Sequence, residues 1–244
     1  MEKRNYTQLS HRLEALSGAA IRVETAGSIE EYPLHVVHLQ ENADASCTIL
    51  LTAGVHGDEP AGVEAALRFL EQDRADLLQH FAFCVVPCIN PTGYVHNTRE
   101  SSRGADINRS FEADQVPEAE IVKELLRGRQ FDCFIDFHED WEATGFYLYE
   151  GRRNGQWFGS EIIRRIEAIG SIDPDTDEDD PPISRGVYPV ASSWGLQGLA
   201  AYILHLHAPC AFICETPSSS WDMDLRVAAH LAALDTVLEH YRNI

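Results

Sequence analysis

Thr48-Ile-Leu-Leu-Thr-Ala-Gly-Val55 is an apolar run that leads directly into His56-Gly-Asp-Glu59. The run has the length and composition of a buried strand, so an imidazole and a carboxylate follow at the strand's end. Zinc in hydrolases is commonly bound by two histidines and one carboxylate, with a further position left for water or substrate. The pattern therefore predicts a metal site that needs a second, distant histidine.

A second apolar run that ends in histidine is Phe134-Ile-Asp-Phe-His138. In open α/β sheets the ends of neighbouring strands meet at one crevice, where ligands bind. His138 is therefore expected close to His56 and Glu59. Asp136 lies one same-face step before His138, and the sequence leaves open whether it supports a metal ligand or is an ordinary buried acid.

Strand-like and helix-like segments alternate along the chain. The predicted strands cover Ile21–Thr25, Leu34–Leu39, Ile49–Val55, Phe81–Ile89, Asp132–Phe137, Gly145–Tyr149 and Ala211–Cys214. The predicted helices cover Tyr6–Leu16, Ala61–Leu70, Glu118–Arg127, Trp157–Ile169 and Leu225–Tyr241. This order predicts an α/β protein with one domain over residues 1–244, built on a mixed, mostly parallel sheet with helices on both faces.

Composition excludes several classes of partner. The chain has 244 residues, 44% of them hydrophobic, and a formal net charge of −20. Such a charge argues against nucleic acid or an anionic membrane as partner, because phosphate binding needs clustered Lys and Arg. The sequence has neither an apolar run long enough to span a bilayer nor the apolar core of a signal peptide at its start, so a cytoplasmic location is expected. The oligomeric state is not predicted.

Three further features are interpreted as structural. The six cysteines lie in strand-like stretches without a C-x-x-C pair, which predicts buried thiols. The acidic run Asp173–Pro182 begins like a calcium loop but carries Glu178 where that loop needs Gly, so it is interpreted as a solvated surface loop. His205 and His207 are expected on one face of a strand, away from the site.

Polar clusters follow two more apolar strands. Asn90-Pro-Thr-Gly93 follows one, and Glu215 follows the other. A polar loop with several arginines begins at Arg99 and contains Gly104-Ala-Asp-Ile-Asn-Arg109. Four strands that end in polar clusters indicate one shared site at an edge of the sheet.

Taken in order, these clusters resemble the zinc carboxypeptidase superfamily of the carboxypeptidase A type, including its short bacterial murein-peptide amidase branch. The family pattern reads His-x-x-Glu, Asn-Pro-Asp-Gly, Arg-x-Asn-x-x-Gly-x-Asp-Leu-Asn-Arg, a strand-end His and a strand-end Glu. The resemblance covers roughly residues 47 to 220 and rests on five ordered matches. It implies the zinc-exopeptidase fold, which is phosphorylase/hydrolase-like.

The resemblance implies that His56, Glu59 and His138 bind Zn²⁺. Two neutral imidazoles and one carboxylate leave the ion a residual positive charge, which acidifies a bound water and polarises a carbonyl. Glu215 is then the general base that takes the water's proton and passes it to the leaving amine.

The resemblance also gives roles to three side chains of the polar loop. Arg99 is expected to stabilise the oxyanion of the tetrahedral intermediate. Asn108 and Arg109 are expected to bind the substrate's terminal carboxylate, because a guanidinium can grip it with two parallel hydrogen bonds.

The sequence departs from the family pattern at several positions. Ser101 replaces the asparagine that follows Arg99 in the family. The family's lid tyrosine has no direct match, and either Tyr188 or Trp194 could replace it, or the role could be absent. Glu139 and Asp140, directly after His138, could select a substrate amine or merely flank the strand.

The leading functional prediction is a metallocarboxypeptidase or peptide amidase that hydrolyses a C-terminal, peptide-like bond with water activated by Glu215. The alternative is a zinc-dependent N-acyl amino acid deacylase that resembles the aspartoacylase and succinylglutamate desuccinylase branch. The expected partner is a small peptide or acylated amino acid with a free carboxylate. A third reading is a binding module that kept the fold and lost turnover, and the presence of ligands, base and arginines argues against it.

Overall fold

The computed structural model describes residues 4–40, 45–72, 75–113, 115–174, 181–191 and 194–243. Its strands are β1 (Ile21–Ile29), β2 (Tyr32–Leu39), β3 (Cys47–Ala53), β4 (Phe81–Val86), β5 (Cys133–Asp140), β6 (Tyr147–Arg152), β7 (Val187–Pro189) and β8 (Cys210–Pro217). Its helices are α1 (Tyr6–Glu14), α2 (Pro60–Glu71), α3 (Ala75–Leu78), α4 (Pro91–His96), α5 (Pro117–Leu126), α6 (Gly159–Ile166), α7 (Leu199–Leu206) and α8 (Met223–Arg242), and Ile107–Arg109 form a 3₁₀ turn.

All of these strands belong to one mixed sheet in the order β1-β2-β4-β3-β5-β8-β6-β7. The four central strands β4, β3, β5 and β8 run parallel to one another. Antiparallel pairing joins β1 to β2, β2 to β4 and β6 to β8 at the two sides, while β7 runs parallel to β6. The predicted fold class, a mostly parallel α/β sheet, is confirmed.

Helices cover both faces of the sheet. Helices α1, α2, α6 and α8 contribute to the apolar core on one face, and α5 and α7 contribute to the core on the other. The central strand β3 supplies both cores in alternation, with Ile49 and Leu51 on one face and Leu50 on the other. A strand buried on both faces reads as a continuous apolar run, which explains why β3 is easy to recognise in the sequence.

Two strands continue beyond their apolar parts. β5 extends to Asp140 and β8 to Pro217, and the register between them runs as far as this final pair. Backbone pairing therefore carries both strands through polar residues. As a result, His138 and Glu215 lie within strands, whereas the sequence alone placed them just after the ends of the strands.

The strand expected around His205 and His207 is wrong, because this segment is helix α7, with His207 at its C-terminal cap. Short apolar runs fit a buried helix as well as a strand, and packing decides between them. His205 is exposed, and the Nδ1 atom of His207 lies 3.0 Å from the backbone carbonyl oxygen of Arg129. Both imidazoles belong to the helix end, away from the polar clusters.

The other structural expectations have mixed outcomes. All six cysteines are free and buried, as predicted. Most of the acidic run Asp173–Pro182 lies outside the described residues, although the Asp173 carboxylate accepts a hydrogen bond from the backbone N–H of Thr144 at 2.7 Å. Among the described residues, no helix combines the length and apolarity needed to cross a bilayer.

Candidate metal centre

The turn between β3 and α2 carries His56 and Glu59. Gly54 opens it with a positive φ of 62°, a conformation that glycine adopts without steric cost. A Cβ atom at Gly57 would lie 1.9 Å from the carbonyl carbon of Gly93, so the turn packs directly against the backbone of α4. The glycine after His56 is therefore required by this close approach.

Asn90 connects α4 to the polar loop. Its side-chain oxygen accepts a hydrogen bond from the Gly93 N–H at 2.8 Å and so caps the helix. Its amide nitrogen donates to the backbone carbonyls of Arg99 at 3.2 Å and Glu100 at 3.1 Å. The Asn-Pro-Thr-Gly cluster therefore fixes the start of the loop that carries Arg99.

His56, Glu59 and His138 converge, with one potential ligand atom of each lying within 4.8 Å of the others. The Nδ1 atom of His56 is 2.6 Å from Glu59 Oε1, and the Nδ1 atom of His138 is 2.9 Å from Glu59 Oε2. All three side chains are buried. The structure thus brings together the three residues predicted as metal ligands.

Each imidazole directs its other nitrogen to a carboxylate. His56 Nε2 lies 3.3 Å from Asp106 Oδ1, and His138 Nε2 lies 2.9 Å from Asp136 Oδ2. Thr52 donates a hydrogen bond to Asp136 at 2.5 Å. Metal-binding histidines usually hold such a carboxylate on the nitrogen away from the ion, so this arrangement fits a metal that the two Nδ1 atoms and Glu59 would bind.

Sequence reasoning left the role of Asp136 open and gave Asp106 none. The structure shows Asp136 as the partner of His138. Asp106 caps the 3₁₀ turn by accepting a hydrogen bond from the Asn108 N–H at 2.9 Å, which directs its carboxylate to His56. The feature of the sequence that could have indicated a role for Asp106 is its place in the Gly-x-Asp-x-Asn-Arg motif.

The charges of the three residues favour a cation between them. Burial raises the pKa of Glu59, but His138 and His56 outweigh this effect and lower the pKa to about 2. Burial lowers the pKa of His138, but Asp136 and Glu59 raise it well above its usual value. The carboxylates therefore stabilise positive charge here, and two imidazoles with one carboxylate are a donor set that suits zinc.

Glu215 lies beside this group on the neighbouring strand. The register of β5 and β8 pairs it directly with His138. Burial raises the pKa of Glu215 to about 8, and Glu59 and Asp140 add to the rise while His138 opposes it. A carboxyl group with such a pKa can accept and return a proton near neutral pH.

Arg99 points into the site from the polar loop. Its guanidinium lies 3.6 Å from Glu59 Oε1 and 3.3 Å from Asp106 Oδ2, while the side chain remains 43% exposed. A positive charge that lies against a ligand carboxylate and still reaches solvent can also face a bound substrate.

Asn108 and Arg109 occupy the 3₁₀ turn of the same loop. The Asn108 side-chain oxygen accepts a hydrogen bond from the Leu199 N–H at 2.9 Å, so it joins the loop to the start of α7. Arg109 is exposed, and its guanidinium donates to the Asn108 carbonyl oxygen at 3.0 Å. Although burial raises the pKa of Asp106, His56, Arg99 and Arg109 together hold it well below its usual range.

Glu139 faces away from the site and does not offer its carboxylate to a substrate. It accepts a hydrogen bond from the Ala61 N–H at 2.6 Å and forms an ion pair with Arg226 of α8. Its own N–H donates to Glu59 Oε2 at 3.1 Å. We refer to Glu139, Ala61, Arg226 and Glu59 as the Glu139 clasp, which ties the first turn of α2 to β5 and α8.

Aromatic side chains stand next to Glu215. Tyr147, paired with Glu215 across β6 and β8, donates a hydrogen bond to Asp140 at 2.9 Å. Tyr188 packs 5.8 Å from the rings of both Tyr147 and Tyr149, and Trp194 packs 5.1 Å from Tyr149, between ring centres. Both candidates for the lid tyrosine therefore belong to one aromatic wall beside the site.

A family model for the succinylglutamate desuccinylase/aspartoacylase catalytic domain matches residues 45–171, which is just over half of the chain. The chain belongs to this family. The matched segment contains all three candidate ligands, Arg99 and the Gly-x-Asp-x-Asn-Arg motif. The family lies within the zinc carboxypeptidase-like superfamily, so the superfamily resemblance deduced from the sequence is confirmed.

Curated relatives share shorter segments. Murein peptide amidase A of Escherichia coli K12 is 37% identical over 73 residues, which cover 30% of this chain and 29% of the relative. Carboxypeptidase SOL1 of Arabidopsis thaliana is 25% identical over 134 residues, which cover 46% of this chain and 27% of the relative. The chain thus matches less than a third of the length of either protein.

Solved structures match over nearly the whole chain. A proposed metallopeptidase from Shewanella amazonensis SB2B gives a TM-score of 0.81 at 25% identity, with 96% of this chain and 91% of that chain covered. A metallo-carboxypeptidase from Burkholderia cenocepacia gives a TM-score of 0.73 at 18% identity, over 99% of this chain and 70% of that chain. The similarity to the Burkholderia cenocepacia structure shows a shared fold. The names of the relatives and of the solved structures are those of peptidases and amidases, which are hydrolases.

Proposed function

We propose that the chain is a zinc-dependent hydrolase that cleaves an amide bond whose amine side carries a free carboxylate. In the leading form it is a metallocarboxypeptidase or peptide amidase. The observation that carries the proposal is the convergence of His56, Glu59 and His138 beside Glu215, with a carboxylate behind each imidazole.

His56, Glu59 and His138 would hold the ion, which when bound would lower the pKa of a water molecule and polarise the scissile carbonyl. Glu215 accepts the proton of the attacking water and delivers it to the leaving nitrogen. Its raised pKa of about 8 suits both steps near neutral pH. Asp136 and Asp106 hold the two imidazoles in orientation throughout.

Arg99 would stabilise the negative charge that develops on the carbonyl oxygen. Removal of one such preorganised donor typically costs about 10²- to 10³-fold in rate. Arg109, exposed at the same loop, would bind the carboxylate of the leaving amino acid, with Asn108 positioning the loop against α7.

A second candidate function is favoured by the family match. An N-acyl amino acid deacylase would cleave the same kind of amide, since its product is also a free amino acid. The two functions differ only in the acyl side of the bond, which is a peptide in the first and a small acid in the second. The desuccinylase/aspartoacylase domain match supports the deacylase, and the likeness to murein peptide amidase A supports the peptidase.

The first experiment measures zinc per chain and hydrolysis by the parent protein. The substrate panel contains peptides with free C-termini, N-acetyl amino acids and N-succinyl amino acids. We expect about one zinc per chain and cleavage of one class with release of a free amino acid. If zinc is bound but none of these three kinds of substrate is cleaved, the proposed substrate chemistry is wrong.

Glu215→Gln tests the proton-transfer role. We expect zinc content to stay near that of the parent while turnover falls by about 10²- to 10⁴-fold. The matched control is Glu124→Gln, an exposed acid on α5 that forms an ion pair with Arg127, which should leave turnover unchanged. If the parent cleaves a substrate and Glu215→Gln cleaves it equally fast, the proton-transfer role of Glu215 is wrong. If the parent binds zinc and peptide but neither protein shows turnover, a binding module becomes the better description.

A further inference from the structure

A second site is indicated by a small cavity near the polar loop. It has a volume of about 200 Å³ and lies between the β1–β2 turn, the turn at Ser102 and Arg103, and the first turn of α5 with Glu118. Pockets for drug-sized ligands usually measure about 300–1,000 Å³, so this cavity suits a smaller molecule.

Glu118 gives the cavity a buried acceptor without a donor. The residue is 1% exposed, and within the described part of the chain its Oε2 atom has no hydrogen-bond partner. A buried carboxylate oxygen without a partner carries a desolvation cost that a donor from a ligand would offset. Burial raises the pKa of this carboxyl group, and Arg103 lowers it.

Arg103 gives the same cavity a cation without an acceptor. Across the described ranges, no carboxylate oxygen lies within 4.0 Å of its guanidinium, although the chain has 39 acidic residues and 19 Lys and Arg. Its backbone N–H donates to Ser101 Oγ at 3.4 Å, which fixes the turn and keeps the residue at the cavity.

We propose that this cavity binds a free α-amino acid, with the ammonium group on Glu118 and the carboxylate on Arg103. An α-amino acid carries both charges a few atoms apart, which matches the buried Glu118 carboxylate and the Arg103 guanidinium. The exposed carboxylate of Glu30 also lines the cavity and adds to the attraction for the ammonium group. A larger neighbouring cavity of about 520 Å³ shares Glu30 and Ser102 with it and offers room for a side chain. The assignment does not depend on the proposed function.

The position of the cavity connects it to the candidate metal centre. Arg103 lies in a tight turn closed by hydrogen bonds from Gly104 N–H to the Ser101 carbonyl and from Ser101 N–H to the Ala105 carbonyl, both 2.9 Å. Arg99 precedes this turn and Asp106 follows it. If the proposed function is right, the bound molecule belongs to the same class as the product, so the loop that builds the site would respond to product.

The test is isothermal titration of the purified protein with free L-amino acids, with acetate and methylamine as single-charge probes. We expect saturable binding of at least one amino acid and weaker binding of both probes. Glu118→Gln and Arg103→Gln should each weaken binding at least tenfold. The matched controls are Glu120→Gln, at an exposed position of α5, and Arg127→Gln, at the exposed C-terminal cap of this helix. Both variants should bind amino acids like the parent.

Binding at the candidate metal centre is separated by Arg109→Gln. If this variant loses binding while Glu118→Gln retains it, the amino acid occupies the metal centre and the proposal is overturned. It is also overturned if the parent binds no amino acid at millimolar concentration. Amide hydrogen exchange gives a second readout, because binding in the cavity should slow exchange at residues 101–105 in the parent and leave it unchanged in a folded Glu118→Gln protein.

Discussion

Glu59 is the side chain that both imidazoles of the candidate metal centre share. Each of its oxygens faces one Nδ1 atom, and a carboxylate stands behind each ring. The three ligand candidates could be predicted from the sequence because each is a polar residue at the end of an apolar run. The roles of Asp106 and Asp136 could not, because they depend on which atoms face each other after the loop and strand have been placed.

Asp136→Asn should weaken zinc binding without unfolding the protein. The amide cannot accept the His138 N–H with a full charge, and loss of such a partner typically costs about 10- to 100-fold in metal affinity. Competition with a chromophoric chelator measures the affinity. Asp132→Asn is the control, because Asp132 lies at the other end of β5. Within the described part of the chain, its carboxylate accepts a hydrogen bond from the Thr48 N–H. Equal affinity of parent and Asp136→Asn would contradict the role given to Asp136.

Zinc affinity should rise with pH. Despite burial, nearby carboxylates raise the pKa of His56 and of His138, so both rings hold protons to a higher pH than ordinary histidines. A ligating imidazole is neutral, and the ion must therefore displace these protons. While both rings are protonated, affinity should increase by up to about 100-fold per pH unit. Chelator competition between pH 6 and 8 measures this slope, and an affinity independent of pH would contradict it.

The elements around the centre are joined by contacts that the sequence pattern does not reveal. The parallel strands and α2 followed from apolar runs and a proline at a helix start. Helix α4 was missed because it has only six residues, and α7 was assigned the wrong type because its short apolar run fits either structure. The Glu139 clasp was missed because the partner of Glu139 comes from α8, far along the chain.

Arg226→Met should destabilise the protein through the Glu139 clasp. It leaves the Glu139 carboxylate buried without its cation, and removal of one partner of a buried ion pair typically costs about 3–5 kcal/mol. Urea unfolding measures the change. The double variant Glu139→Gln/Arg226→Met should recover part of the loss, since no unpaired charge remains. An Arg226→Met protein as stable as the parent would show that the pair contributes nothing.

Gly57→Ala should disrupt the turn that holds His56 and Glu59. The added methyl group would meet backbone atoms of α4, which cannot move aside as a flexible side chain can. Overpacking usually costs about 1–3 kcal/mol, and a backbone clash belongs at the upper end or beyond. Gly198→Ala is the control, because Gly198, like Gly57, lies outside the left-handed region, and an added Cβ there would meet atoms of Asn108 only at ordinary contact distances of 3.5 and 3.7 Å. The melting temperature and the zinc content should both be lower in Gly57→Ala than in the parent. Values equal to those of the parent would contradict this packing.

At the scale of the whole molecule, the candidate ligands and Glu215 lie at the centre of the sheet. The ligand candidates and Glu215 come from β3, β5 and β8, which are adjacent in the centre of the sheet. The fold class could be predicted from alternating segments, but the strand order could not, because nothing in a strand's own sequence names its neighbour. The polar clusters required only that the ends of these four strands meet at one edge, and the structure supplies the order β4-β3-β5-β8.

Zinc should stabilise the whole fold. An ion that binds only the folded state adds about 2.7 kcal/mol at a free concentration 100 times its dissociation constant. For a chain of this size each kcal/mol raises the melting temperature by about 2–4 °C. Thermal unfolding of chelator-treated protein with and without added zinc measures the shift, and His138→Ala should show little. An unchanged melting temperature of the parent on adding zinc would contradict a structurally integrated metal centre.

The buried thiols give the sheet its own set of chemical reporters. Cys47, Cys84 and Cys133 lie in β3, β4 and β5, and Cys210 and Cys214 lie in β8, so each of the four central strands carries at least one. A thiol reagent can react with them only when the strand that carries them opens. The rate of labelling at each position therefore measures how often each strand separates from its neighbours, and single-cysteine versions of the protein would time the assembly of the site strand by strand.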